Sequence, residues 1–219
     1  GTLIAENRTT IDDFGYPLDM ALSPDGIKMA VSYMRVNGNK ISTHIAFYNF
    51  GSAGQMELNN QVGELNVDDV LAPQIFFCDN STAVAVRTDG FTVFSGSQSP
   101  KEKKTVKFDQ EIISTFHDGN RIGFVFDGGD SGHKYLMKVY NTGGKNTMQK
   151  YFDLQYNSIT LQKDKIVLFN EKEFAIYKLN GQKTFQGKYR KPIQNVLSIR
   201  GFRKYMVITE DSADLIRLG

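Results

Sequence analysis

The stretch FDGGDSGHK, residues 126–134, gathers residue types that do chemistry: Asp127 and Asp130 lie among three glycines, with His133 beside them. Carboxylates on a flexible loop suit Ca²⁺, but this spacing matches neither an EF-hand nor a glycine-rich β-roll repeat. Gly and Asp are also the ordinary turn residues, so a long hairpin loop is the expectation. The other histidines are His44, which alternates within a strand-like run, and His117, which falls like His133 in turn-like sequence. No two of the three lie within four residues of each other, which removes a local H-x-x-x-H metal pair. A glycosidase-type site needs two carboxylates facing each other across ~5–9 Å. Asp19, Asp68, Asp69, Asp109, Glu111 and Asp153 are the candidates by composition, several of them at junctions between runs, and no spacing pairs them.

Other chemistries lack their parts. There is no G-x-S-x-G nucleophile elbow, no P-loop and no G-x-G-x-x-G, so no nucleotide cofactor is implied and none of any kind is expected. Cys78 is the sole cysteine, which excludes an intrachain disulfide and a cysteine-based zinc site. Its context, IFFCDN, reads as that of a small buried hydrophobe. There is no tryptophan to serve as a sugar platform. The 219 residues carry 26 basic and 24 acidic side chains, a balance that argues against a nucleic-acid surface. The densest basic run, Lys101–Lys104, is expected as a solvated loop. No apolar run approaches the ~20 residues of a membrane span. Nor does a basic start precede an apolar run, so no signal peptide is expected within the sequence.

The elements that must position these residues are short. Runs of five to eight residues, rich in Val, Ile, Phe and Tyr and separated by turn residues, predict many antiparallel strands. One set reads KMAVSY (28–33), TAVAVR (82–87), RIGFVF (121–126), KIVLFN (165–170) and YMVITE (205–210). The next reads IAFYNF (45–50), FTVFSG (91–96), MKVYN (137–141), FAIYKL (174–179) and LIRLG (215–219). Tyr48, Phe94, Tyr140, Tyr177 and Arg217 anchor the second set, at separations of 46, 46, 37 and 40 residues. Four strands at this period is the signature of β-propeller blades. The best turn is Ser23-Pro24-Asp25-Gly26, where Pro24 presets φ and Gly26 supplies a left-handed residue. Weaker copies follow at 78–82, 117–120, 162–165 and 200–203.

The expected architecture is therefore all-β and β-propeller-like, a single domain over 1–219. It has about five four-stranded blades, at roughly 17–66, 73–109, 111–154, 156–190 and 192–219. Residues 2–8, TLIAENR, would be an outer strand of the last blade or of a preceding one, the latter making the chain a fragment of a larger propeller. Longer connections are expected at 34–43 and 127–134. Their polar residues, Arg35, Asn37, Lys40, Asp127, Asp130 and His133, are the expected binding loops, because propellers bind through loops on a rigid frame.

LSPDGIKMAVSY resembles the opening hairpin of WD40-like and TolB-like blades. GTLIAENRTT, GYPLDMALSPDGIKMAVSYM, IAFYNFGSAGQ and NSTAVAV resemble the C-terminal part of an uncharacterised family of membrane-anchored extracytoplasmic proteins of Gram-positive bacteria. That resemblance implies upstream blades, a membrane anchor and an extracytoplasmic location, and it brings no catalytic residues. The expected function is a non-enzymatic interaction scaffold with a protein partner. The alternative is an envelope domain that binds or cleaves cell-wall glycan.

Overall fold

A computed structural model describes residues 11–52, 54, 60–199 and 203–218. The TLIAENR strand expected at 2–8 and residues 200–202 of the last expected turn lie outside the described residues. A four-residue helical turn, Ile11–Phe14, precedes nineteen strands among the described residues. Each sheet is an antiparallel meander with its strands in chain order. Sheet 1 holds β1 (Tyr16–Leu22), β2 (Lys28–Asn37), β3 (Lys40–Asn49) and β4 (Gln61–Asp68). Sheet 2 holds β5 (Gln74–Phe77), β6 (Thr82–Arg87), β7 (Gly90–Ser95) and β8 (Lys101–Lys107). Sheet 3 holds β9 (Ser114–Asp118), β10 (Arg121–Asp127), β11 (Tyr135–Asn141) and β12 (Asn146–Phe152). Sheet 4 holds β13 (Ser158–Gln162), β14 (Lys165–Phe169), β15 (Glu173–Lys178) and β16 (Lys183–Lys188). Sheet 5 has three strands, β17 (Asn195–Ser198), β18 (Lys204–Ile208) and β19 (Ala213–Arg217).

The chain forms two compact units. Sheets 1 and 2 make the first, whose core interleaves Ile45 and Phe47 from sheet 1 with Ile75 and Phe94 from sheet 2 over a bed of alanines. Sheets 3, 4 and 5 make the second. Met137, Val139, Phe152, Ile166, Leu168 and Tyr177 fill the space between sheets 3 and 4. Val167, Phe174, Ile176, Val196, Tyr205 and Val207 fill that between sheets 4 and 5. The central strands β6, β10 and β14 are buried on both faces, which explains their unbroken apolar runs, whereas β8, β12 and β16 alternate or are polar because they are outermost.

The Ser23–Gly26 turn forms as its residues dictate. The Gly26 N–H donates to the Ser23 carbonyl at 2.8 Å, and Gly26 is left-handed at φ 70°. Asp25 Oδ1 accepts the Ser23 hydroxyl at 2.5 Å and the Ile27 N–H at 3.1 Å, and these bonds hold its carboxyl below the ordinary 3.8. The next copy, at β5–β6, ties itself by Asp79 Oδ1 accepting the Ser81 N–H at 2.7 Å. Asn80 Oδ1 accepts the Asp25 N–H at 3.0 Å, so the two turns brace each other.

Three placements differ from expectation. Residues 34–43 are not a long connection. β2 and β3 run on as ten-residue strands to a tight turn at Gly38-Asn39, because the alternating polar sequence suits an exposed ladder. Lys101–Lys104 opens strand β8 rather than lying in a loop, since an outermost strand leaves lysines solvated while its backbone pairs with β7. His117 lies on β9, not in the turn that follows it.

One glycine is needed for packing rather than turning. Gly123 on β10 faces Phe116 across the β9 ladder, and a Cβ there would meet the Phe116 ring at 2.1 Å. Phe116 is 5% exposed and belongs to the core between sheets 3 and 4. Gly123→Ala should displace that ring and cost roughly 1–3 kcal/mol. An unchanged thermal midpoint would show that the ring has room to move.

Candidate functional site

The register of sheet 3 builds the site. Tyr135 at the start of β11 pairs with Phe152 at the end of β12, which brings residues 133 and 153 face to face although 20 residues separate them. His133 Nδ1 lies 2.9 Å from Asp153 Oδ2, and the Lys134 N–H donates to Asp153 Oδ1 at 3.0 Å. The imidazole also stacks on Tyr151, with ring centroids 5.7 Å apart and planes 18° from parallel. The His133 contact, then the Lys134 N–H, hold the Asp153 carboxyl below its ordinary 3.8. All three side chains stay accessible: His133 47%, Asp153 58% and Tyr151 36% exposed.

They border a groove of about 570 Å³ between sheets 3 and 4. Its other side carries Glu173 and Tyr177 from β15 and Lys183 and Gln186 from β16, with Gln155 and Asn170 from the connections. The loop over 128–134 includes a short 3-10 turn at Gly129–Ser131. Asp127 is spent on it, its Oδ1 accepting the Gly129 N–H at 2.8 Å, and Asp130 is exposed. Among the described residues, no group of three or more His, Cys, Asp or Glu side chains could hold a metal ion.

An ionised carboxylate that orients an imidazole is one part of a proton-transfer site. Among the described residues no hydroxyl reaches His133 Nε2, and Ser131 Oγ instead accepts the His133 backbone N–H at 3.2 Å. The arrangement thus offers directional hydrogen bonds of both signs beside an aromatic face.

The remaining candidates do other work or lie apart. Asp19 ties β1 to sheet 2, its Oδ2 accepting the Ile75 N–H at 2.8 Å. Asp68 ends β4, and Asp69 sits in a left-handed turn at φ 57°. Asp109 and Glu111 are exposed in the connection after β8. Arg35 donates to Asn66 Oδ1 at 3.1 Å and to the Asp13 carbonyl at 2.5 Å. Asn37 and Lys40 are paired at the end of the β2–β3 ladder. The Cys78 thiol is pushed up to about 12 by burial and by Asp79, so it is no nucleophile at neutral pH.

His44 is 1% exposed on β3, with Nδ1 2.8 Å from Asn66 Oδ1 and Nε2 without a hydrogen-bond partner among the described residues. Burial first, then Arg35, lowers its pKa below 6.5, against the opposing pull of Asn66 and Glu64. His117 is lowered likewise by burial. Protonation then favours the unfolded chain, where each titrates near 6.5. Their contribution to stability should be constant above that pH and be lost as pH falls below it, through the lower folded values. His44→Gln should flatten part of this decline in urea titrations between pH 7 and 5. A profile identical to the parent's would refute the assignment.

Tyr151, Glu173 and Lys183 were not visible as site residues in the sequence. Tyr151 alternates as an ordinary strand residue, and the other two come from a different sheet.

No curated protein matches the chain in sequence. Its likeness to solved structures is one of fold: all-β, with β-propeller neighbours. Sqt1 from Chaetomium thermophilum superposes with a TM-score of 0.60 at 9% identity, over 93% of this chain and 62% of that one. Hsv2 from Kluyvelomyces marxianus gives 0.55 at 10% identity, over 92% and 72%. A eukaryotic initiation factor gives 0.54 at 12% identity, over 89% and 49%. The chain thus spans from about half to under three quarters of the length of these propellers. A model described as a family of unknown function (DUF5711) matches residues 1–218.

Proposed function

The chain belongs to the DUF5711 family of unknown function, and we propose that it acts as a non-enzymatic interaction scaffold that holds a protein partner in the groove between sheets 3 and 4. The observation that carries this reading is the accessible Tyr151–His133 stack, locked by Asp153 at the groove's edge. A rigid aromatic face flanked by fixed donors and acceptors is the composition that anchors peptide chains. Lysines and carboxylates of both signs, with the amides of Gln155, Asn170 and Gln186, match the backbone and mixed charges of a polypeptide.

Glycan cleavage is the weaker reading on physical grounds. The acid in such a reaction must have its carboxyl pKa raised. Among the described residues, the carboxyls that this fold displaces, Asp25, Asp79, Asp153, Asp164 and Asp211, are all displaced downward. The resemblance to membrane-anchored envelope proteins supports placing the scaffold outside the cytoplasmic membrane.

Cross-linking and capture from envelope extracts, with this chain as bait and mass spectrometry as readout, tests both partner and place. We expect one protein to be enriched and its recovery to fall about tenfold with Tyr151→Ala combined with Asp153→Asn, as loss of an aromatic anchor would give. Recovery unchanged by that double variant removes the groove from the reading. Recovery of wall fragments alone moves it to glycan binding.

A further inference from the structure

A second cleft, of about 610 Å³, lies between sheets 4 and 5 and shares Lys183 with the groove beside the Tyr151–His133 stack. Among the described residues, Lys163, Lys165, Lys178, Lys183, Arg203 and Lys204 line it, against a single acid, Asp164. Six basic groups to one acidic is far from the 26 to 24 of the whole chain. Asp164 is engaged already, its Oδ2 lying 2.6 Å from Lys165 Nζ. Lys178 donates to Gln182 Oε1 at 2.8 Å, a neutral amide that positions its ammonium group without cancelling the charge, whereas the Lys183 ammonium is held by Gln186 of the first groove. Ile199, Leu218 and the buried Tyr205 supply an apolar lining that lowers the local dielectric.

A second observation is independent of the charge count. The first-to-second-strand turns of sheets 1 and 3 put glycine at the left-handed position: Gly26 at φ 70° and Gly119 at φ 53°. The same turn of sheet 4 puts Lys163 there at φ 59°, and in sheet 5 Arg203, the residue before β18, is left-handed at φ 54°. Glycine adopts this conformation without steric cost, whereas a long side chain is strained in it. Strain retained at two neighbouring turns, each time with a cation that lines one cleft, marks the side chains as useful where they stand.

We propose that this cleft binds a multiply charged phosphate. Its size is that of a small-ligand site. Its cations are mainly lysines, compact charges with rotatable donors, which suit the many oxygens of phosphate groups better than one planar carboxylate. A free oligophosphate and a phosphate-bearing lipid headgroup share that chemistry.

Titration calorimetry with sodium tripolyphosphate, at low and at physiological salt, tests the site on the full chain. Sedimentation with phosphatidylcholine vesicles containing phosphatidic acid, a lipid phosphomonoester, tests the lipid source. We expect Lys178→Gln with Lys204→Gln to weaken binding about tenfold or more. Lys101→Gln with Lys103→Gln, an equal charge loss on β8, should leave it within about twofold. Lys163→Gly separates binding from folding: it relieves the strained turn, so the melting temperature should hold or rise while affinity falls. Loss with tripolyphosphate identifies a free phosphate as ligand, and loss with vesicles alone identifies a headgroup. Absence of binding to either probe, or equal loss in the two double variants, overturns the proposal.

Discussion

Phe47→Ala should destabilise the unit formed by sheets 1 and 2 by about 3–5 kcal/mol. Phe47 is 1% exposed on β3, and its ring centroid lies 4.8 Å from that of Phe94 on β7. The pair bridges the two sheets. Around it lie Ala30, Ala72, Ala83 and Ala85, each at most 1% exposed. Alanines cannot extend into the space that a deleted ring leaves, so the cavity persists and the cost falls toward the upper end of the range. Phe47→Leu fills most of that volume and should recover more than half of the loss. Urea unfolding followed by circular dichroism reads both variants. A loss below about 1 kcal/mol for the alanine variant would mean that the two sheets do not close over this ring.

Asp89→Ala should cost about 3 kcal/mol, more than its position in a surface turn suggests. Arg87 closes β6 with its side chain only 7% exposed. Asp89 grips it with two bonds, Nε to Oδ1 at 2.8 Å and the second guanidinium nitrogen to Oδ2 at 2.9 Å. The remaining guanidinium nitrogen donates to Thr92 Oγ1 at 3.2 Å, and Thr92 shares a hydroxyl bond of 2.8 Å with Thr105 on β8. Removing the carboxylate leaves a buried cation with a neutral hydroxyl. That uncompensated charge costs more than the pair itself contributes. Asp89 is 28% exposed, so water repays part of the cost and the effect stays near the low end for buried pairs. Combining Asp89→Ala with Arg87→Met should return most of the stability. If the double variant is as unstable as Asp89→Ala alone, an apolar side chain cannot fill the site and the loss is one of shape rather than charge.

What the sequence determined by itself is the local and periodic part of the structure. Runs such as TAVAVR and KIVLFN pointed to strands buried on both faces, because their interior positions are apolar without alternation. The near-regular recurrence of such runs specified repeated antiparallel meanders, and Ser23-Pro24-Asp25-Gly26 specified its own turn through bonds spanning at most five residues. Interactions of that range are written in neighbouring letters. The strand pairing of residues 34–43 was hidden because an exposed ladder of polar residues has the composition of a loop. The tertiary structure alone decided the sites. His133 and Asp153 each looked like turn residues until the β11–β12 register set them 2.9 Å apart. Arg87 gives no sign in sequence that it is buried. Lys163, Lys178 and Lys204 are unexceptional lysines until sheets 4 and 5 pack side by side and gather their charge around one cleft. Such groupings depend on which sheet faces meet, and that is set by the summed packing of many apolar side chains rather than by any motif near the residues concerned.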